Sequence, residues 1–264
     1  MSRFDSPGLH IPFDELEVQD QMGGGGYSLV YRGIWKGCPV AIKKWFDPDH
    51  SDKMMVEFRA EVMTLAELRH PNVVQFLGAC MKPPELCMVM EHLPHSLFSV
   101  LYKSSVEMDQ KRVIALASDI CRAFQFLHSR KPAVIHRDIK PANFLLDRSW
   151  KVKICDFGLA SAMDAASGTP PYMAPELLTK SPYNEKVDVY AFGILLNEMV
   201  SRQVPFEGLG FQQIKDLVCR GERPVIPDCC QRKLAEVIEI CWDGDASKRP
   251  SFAEVQEQLR QASK

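Results

Sequence analysis

Two short strings hold most of the groups in this chain that could do chemistry. His136 to Leu146 reads HRDIKPANFLL, and eighteen positions after Asp138 comes Asp156, the first residue of Asp156-Phe157-Gly158. Asp138, Lys140, Asn143 and Asp156 put two carboxylates, an ammonium and an amide on two nearby loops. One carboxylate can orient an acceptor hydroxyl. The other, with the amide, offers the hard oxygen ligands that Mg²⁺ takes. The set suits a metal-bound polyphosphate and a hydroxyl group.

These loops need elements to hold them. The first ninety residues read as strands with one helix. YSLVYRGIW and CPVAIKKW are β-branched and aromatic runs separated by a turn at Lys36–Gly37. The stretch 56–69 has helical periodicity through Phe58, Val62, Leu65 and Leu68, and His70–Pro71 ends it. NVVQFLGAC and ELCMVME read as further strands. After Pro94 the pattern turns helical: Asp109 can cap a helix whose Val113, Leu116, Ile120, Phe124 and Leu127 form one apolar face. VIHRDIK and VKICDF read as short strands or loops, and helices dominate from Pro175 onward. A β-rich lobe joined near residues 91–95 to an α-rich lobe implies a cleft.

Composition narrows the class. With 264 residues, 46% hydrophobic and 25% charged, the chain has material for a core and no low-complexity tract. A net charge of −2 and a pI near 6.4 leave no basic footprint, so nucleic acid is not an expected partner. Nine scattered cysteines without a CxxC pair read mostly as buried small hydrophobes in a reducing compartment. The first seventeen residues lack the apolar stretch of a secretory leader. Residues 187–200 are apolar but interrupted by Asp188, Asn197 and Glu198, which suits a buried core helix and not a membrane span. The expectation is a cytoplasmic protein.

With these residues in view, the chain resembles a protein kinase catalytic domain from about Phe13 to Leu259, with the motifs in order. Gly23-Gly24-Gly25-Gly26-Tyr27-Ser28-Leu29-Val30 is similar to the glycine-rich loop, whose backbone N–H groups approach phosphates. Gly23 and Gly25 match its first two glycines, and Ser28 stands where the third usually sits. Val40-Ala41-Ile42-Lys43 resembles the strand bearing the ATP lysine. Strand alternation puts Ala41 and Lys43 on one face, and Lys44, pointing the other way, reads as a solvated lysine. Glu57 and Glu61, one helical turn apart, are both candidate partners for Lys43. The resemblance prefers Glu61, from the spacing to Leu65, Leu68, His70 and Pro71.

The same resemblance implies roles for the opening strings. Asp138 would orient the acceptor hydroxyl, Lys140 would sit on the transferring phosphoryl group, and Asn143 and Asp156 would hold Mg²⁺. His136 reads as a packed structural residue, Arg137 as a dock for a phosphorylated loop, and Cys155 as a small floor residue. Val30 and Ala41 would lie above the purine and Leu145 below it. Backbone of Glu91 to Leu93 would bond it, with Met90 as gatekeeper. Leu65, Phe76, His136 and Phe157 resemble a stacked column anchored by Asp188. The string Gly168-Thr169-x-x-Tyr172-Met173-Ala174-Pro175-Glu176 is similar to the segment that docks the acceptor peptide, and Glu176 would pair with Arg249.

The implied fold is α+β: residues 1–90 form a small antiparallel β-sheet lobe with one main helix, 91–95 a hinge, and 96–264 a larger, mostly α-helical lobe, as one kinase domain. Lys140 two positions after Asp138, with Thr169 in the docking segment, is the serine/threonine pattern. The expected cofactors are ATP and Mg²⁺, and the expected partners are proteins with Ser/Thr acceptors. IPFDELE, RGIWKG, LRHPNVVQFLGAC and the RPSF string resemble the tyrosine-kinase-like group, near the Raf and mixed-lineage kinases. That likeness also raises dimerisation through the first lobe. Ser161, Ser167 and Thr169 are the hydroxyls of a short activation segment; two readings stand side by side, Ser167 as a regulatory site whose phosphate meets Arg137, and a segment short enough to order without phosphate. A pseudokinase scaffold would have lost Lys43, Asp138, Asn143 or Asp156, and all four are present.

Overall fold

The computed structural model describes residues 9–25, 28–46, 52–158, 160 and 168–263. The chain divides into two compact units, Met1–Pro94 and His95–Lys264.

The first unit is a five-stranded antiparallel sheet with one helix. Its strands are β1 (Leu16–Gly25), β2 (Ser28–Trp35), β3 (Cys38–Trp45), β4 (Phe76–Cys80) and β5 (Cys87–Glu91), in the order β1-β2-β3-β5-β4. Lys36 and Gly37 turn β2 into β3 with φ of 49° and 77°. Two successive positive φ values match the right-handed twist of the strands they join, and glycine accepts one at no steric cost. The helix α1 (Asp52–Glu67) begins four residues before the periodic stretch that marks it in the sequence. Trp45 of β3 meets Phe58 of α1 edge-on, with ring centroids 5.1 Å apart.

The other sheet face is also covered. Val40 and Ile42 of β3 and Cys87 and Val89 of β5 pack with Ile11 and Leu16, and Phe13 lies against them. The N-terminal stretch reaches that place by adding to the edge of β4, where Ala79 donates to the Leu9 carbonyl at 2.8 Å and Ile11 donates to the Ala79 carbonyl at 3.0 Å. This cover changes the status of Lys44. Instead of standing in water, it pairs with Glu85 at 2.8 Å and lies 4.5 Å from the centre of the Phe13 ring. The sequence pattern treats Lys44 as solvated because the partner face is laid down by residues some thirty positions earlier.

The second unit opens with a short ribbon of β6 (His95–Ser96), β7 (Phe144–Leu146) and β8 (Val152–Ile154). Helix α2 (Leu97–Tyr102) follows, capped by Ser96 in a reciprocal capping box with Ser99. Then comes α3 (Gln110–His128), whose first turn is capped by Asp109 accepting from the Arg112 amide at 2.8 Å. Further on are α4 (Pro175–Leu178), α5 (Lys186–Ser201), α6 (Phe211–Cys219), α7 (Arg232–Cys241) and α8 (Phe252–Ala262). Among the described residues no helix is long and apolar enough to cross a membrane. The cysteines depart from expectation. All nine are free, but only Cys80, Cys87, Cys121 and Cys241 are buried, while Cys38, Cys219 and Cys229 are exposed.

Helix α5 is the axis of this unit, buried along nearly its whole length. Its two buried carboxylates, Asp188 and Glu198, survive there because their oxygens accept specific bonds, whereas the Tyr190 hydroxyl and the Asn197 amide oxygen have no hydrogen-bond partner among the described residues. Asp188 accepts the backbone N–H of His136 at 3.0 Å and that of Arg137 at 2.9 Å, and the His128 ring nitrogen lies 2.8 Å from the same carboxylate. Arg249, fully buried, forks onto Glu176 with contacts of 2.6 and 2.9 Å and donates further to the Asp243 and Lys186 carbonyls. This is the pair expected from the sequence.

Two predictions follow from these bonds. Glu176→Ala leaves a buried guanidinium without its counter-ion and should cost about 3 kcal/mol. A lowered urea midpoint at unchanged slope would report that loss. Asp188→Asn offers one acceptor oxygen where two N–H groups converge, at a cost of about 2 kcal/mol. Amide exchange at His136 and Arg137 should then accelerate about 30-fold, and unchanged rates would remove Asp188 from its anchoring role.

Candidate active site

Each unit carries one cluster of the candidate residues. In the first, β3 presents Lys43 toward α1, and its Nζ donates to Glu61 Oε1 at 2.8 Å. Both side chains are largely buried, 12% and 4% exposed, so the pair forms away from bulk water where its attraction is little screened. Lys43 Nζ also lies 4.7 Å from the Trp45 ring centre. Glu57, one turn earlier on the helix, is exposed.

The glycine run is not a bare turn. Gly23, Gly24 and Gly25 continue β1 and pair with Val30, Leu29 and Ser28 of β2. A Cβ on Gly24 would meet the Leu29 side chain at 2.3 Å, whereas one on Gly23 would meet nothing within 4 Å. The Leu29 side chain thus packs over the bare Gly24, and the space beside Gly23 is open. Gly26 and Tyr27 lie outside the described residues. Ala41 pairs with Met90 across β3 and β5, Val30 pairs with Lys43, and Glu91 and Leu93 are half-buried. Leu145 belongs to the second unit, half-buried on β7.

The second unit builds its cluster on a loop held by its own backbone. Arg137 and Asp156 both adopt left-handed backbone, φ 65° and 63°. Such conformations cost about 1–3 kcal/mol in a non-glycine residue and persist only where neighbours over-determine them. For Arg137 the neighbour is the Asp188 carboxylate. His136 is fixed on both ring nitrogens: Nδ1 accepts from the Asp138 amide at 3.3 Å, and Nε2 lies 3.1 Å from the Cys155 carbonyl. Acceptance at Nδ1 places the ring N–H at Nε2, toward the Cys155 carbonyl, so the imidazole links the two loops. Its ring packs edge-on against Phe157 at 5.2 Å and Phe124 at 6.1 Å, and Phe124 stacks on Phe252 at 4.7 Å. Sequence reasoning placed His136 and Phe157 in the stack but not Phe124, which read as an apolar helix position, or Phe252, which read only as the end of the RPSF string.

Asp138 is the hub of the polar set. Its Oδ1 accepts from the Thr169 hydroxyl at 2.7 Å, and its Oδ2 contacts Lys140 Nζ at 2.7 Å and the Asn143 amide nitrogen at 3.0 Å. Lys140 also donates to Thr169 Oγ1 at 3.0 Å. Asn143 gives a second bond from the same nitrogen to the Asp138 carbonyl at 2.7 Å, which leaves its amide oxygen outside both bonds. Asp138, Lys140, Asp156, Gly158, Gly168 and Thr169 line a cavity of about 240 Å³. Asp156 is the exposed carboxylate of the group. Among the described residues no set of three or more His, Cys, Asp or Glu gathers to hold a metal alone. The Arg137 guanidinium donates to the Tyr183 hydroxyl at 3.1 Å, and Ser161 and Ser167 lie outside the described residues.

Residues 16–259 match the family described as protein tyrosine and serine/threonine kinase. The chain is 41% identical over 251 residues to the probable serine/threonine-protein kinase drkD of Dictyostelium discoideum, covering 93% of this chain and 20% of that protein. It is 38% identical over 269 residues to the probable serine/threonine-protein kinase SIS8 of Arabidopsis thaliana, covering 98% and 26%. It is likewise 38% identical over 267 residues to the serine/threonine-protein kinase CTR1 of Arabidopsis thaliana, covering 97% and 32%. The chain thus spans about a fifth to a third of the length of these curated relatives. With an antiparallel sheet and one helix in its first unit, a helical second unit, and a family match across both, the chain belongs to the protein tyrosine and serine/threonine kinase family.

Proposed function

We propose that the chain transfers the γ-phosphoryl group of Mg-ATP to serine and threonine hydroxyls of proteins. The observation that carries this reading is the bond from the Thr169 hydroxyl to Asp138, with Lys140 on both. A side-chain hydroxyl already sits against the carboxylate within 3 Å of an ammonium, the arrangement an acceptor hydroxyl needs. Relatives named as serine/threonine kinases support the same acceptor class.

In this reading the chain's own groups position and neutralise. Asp138 orients the acceptor hydroxyl and takes its proton. Lys140 offsets charge on the transferring group, and Lys43, held by Glu61, binds phosphate oxygen. The backbone of Gly23 and Gly25, beside Ser28, approaches the phosphates. Val30, Ala41, Met90 and Leu145 enclose the purine, and backbone of Glu91 to Leu93 bonds it. The donor set fits Mg²⁺: the exposed Asp156 carboxylate and the uncommitted Asn143 amide oxygen are hard ligands, and two such ligands suffice when phosphates supply others. Mg²⁺ there would neutralise charge on the phosphates. A cytoplasmic location and pairing of two chains through the first unit belong to the same proposal, as does Ser167 phosphate meeting Arg137.

Radiolabelled transfer to a generic basic protein tests the reading. Wild type should label serine and threonine, and Asp138→Asn should lower kcat about 10²- to 10⁴-fold. Lys43→Met and Glu61→Gln should lose transfer, while Glu57→Gln keeps it. Labelling by wild type no greater than by Asp138→Asn would overturn the assignment.

A further inference from the structure

Three side chains that this chemistry does not use converge inside the second unit. Glu198, in the last turn of α5, is 2% exposed. Its Oε1 accepts from the Tyr102 hydroxyl at 2.5 Å and its Oε2 from the Tyr172 hydroxyl at 2.7 Å. Tyr102 closes α2, and Tyr172 stands three residues after Thr169, in the segment read above as the acceptor dock. A carboxyl buried among apolar helix residues is tolerated only if its lone pairs are filled, and here two elements fill them.

We propose that Glu198 is a positioning residue for the acceptor, tying α2 to residues 168–176 through both tyrosines, and that a single proton on it changes how tightly that segment is held. The acceptor part of this inference rests on the function proposed above. The tie itself rests on the geometry.

The charged surroundings set the direction. Glu198 faces Tyr102 from α2 and Tyr172 from the docking segment. Arg202 and Glu207 lie near Tyr102, and Asp138 lies near Tyr172. Burial pushes Glu198 from the usual carboxylate range up to about 7, against the two hydroxyl bonds, which lower it. Burial and the Glu198 carboxylate hold both phenols far above their ordinary values, so they remain donors. Because the value is raised, the proton favours the closed arrangement. The bridge is fully strengthened below the unfolded-state value and loses that gain as pH rises through about 7. A protonated carboxyl still spans the gap, accepting from one phenol on its carbonyl oxygen and donating its own proton to the other.

Hydrogen exchange of residues 168–176 at pH 6 and pH 8, corrected for intrinsic chemistry, tests the tie without relying on catalysis. Wild type should be about tenfold better protected at pH 6. Glu198→Gln should give equal protection at both. Tyr102→Phe removes a bond that favours the charged form, so its transition should move up by about one pH unit. It also keeps the question open to test if the glutamine variant folds poorly. Equal wild-type protection at both pH values, a pH response that survives Glu198→Gln, or no shift in Tyr102→Phe would each overturn the tie. In the transfer assay, KM for a peptide acceptor should follow the same transition while KM for ATP does not. A chain that shows the exchange response but labels no peptide at any pH would instead overturn the kinase reading and leave the bridge in place.

Discussion

The second unit depends on one carboxylate. Asp188 stands on a helix buried along nearly its whole length and accepts the backbone N–H groups of His136 and Arg137. Backbone donors in a buried loop must be paired, and among the described residues no strand runs beside this one to pair them. By supplying the missing acceptor, Asp188 permits the left-handed turn at Arg137. That turn sends His136 inward to the aromatic stack and lets Asp138 face the cavity. The polar set is therefore built outward from the core helix, and its precision derives from the rigidity of that helix and not from the loop.

The chemical groups were legible because they are local. Asp138, Lys140 and Asn143 fall within six residues, and their types restrict the chemistry before any fold is known. Capping by Asp109 and the turn at Lys36–Gly37 were legible for the same reason, since each is settled by neighbours in sequence. What the sequence withheld is non-local. Nothing near His128 reveals that it contacts Asp188, sixty positions away, and nothing near Tyr102 points to Glu198, ninety-six positions away. Of the polar interruptions of helix α5, the family resemblance marked Asp188 as an anchor, but Asn197 and Glu198 were visible as interruptions only. Their meaning as anchors appears when their partners arrive from other elements.

Strand β1 shows a different limit. A run of glycines carries no side-chain pattern, so it reads as a turn, yet Gly23 to Gly25 lie in register with β2. The partner strand pairs with them there, and the Leu29 side chain packs over Gly24. Lys43 and Lys44 make the complementary point. Adjacent residues of like type point to opposite faces and find carboxylates from different places, Glu61 on α1 and Glu85 before β5. The sequence distinguishes them only by parity.

The strap along the edge of β4 bears on where this fold begins. The family match starts at residue 16, but Ile11 is already part of the apolar core, and residues 9–11 occupy hydrogen-bonding positions on an edge strand. An open edge of that kind invites pairing with another chain. A protein trimmed to the matched stretch would expose the β4 edge and uncover the faces of Val40, Ile42 and Val89 together. The packing of the first unit therefore extends beyond the stretch that the family match covers.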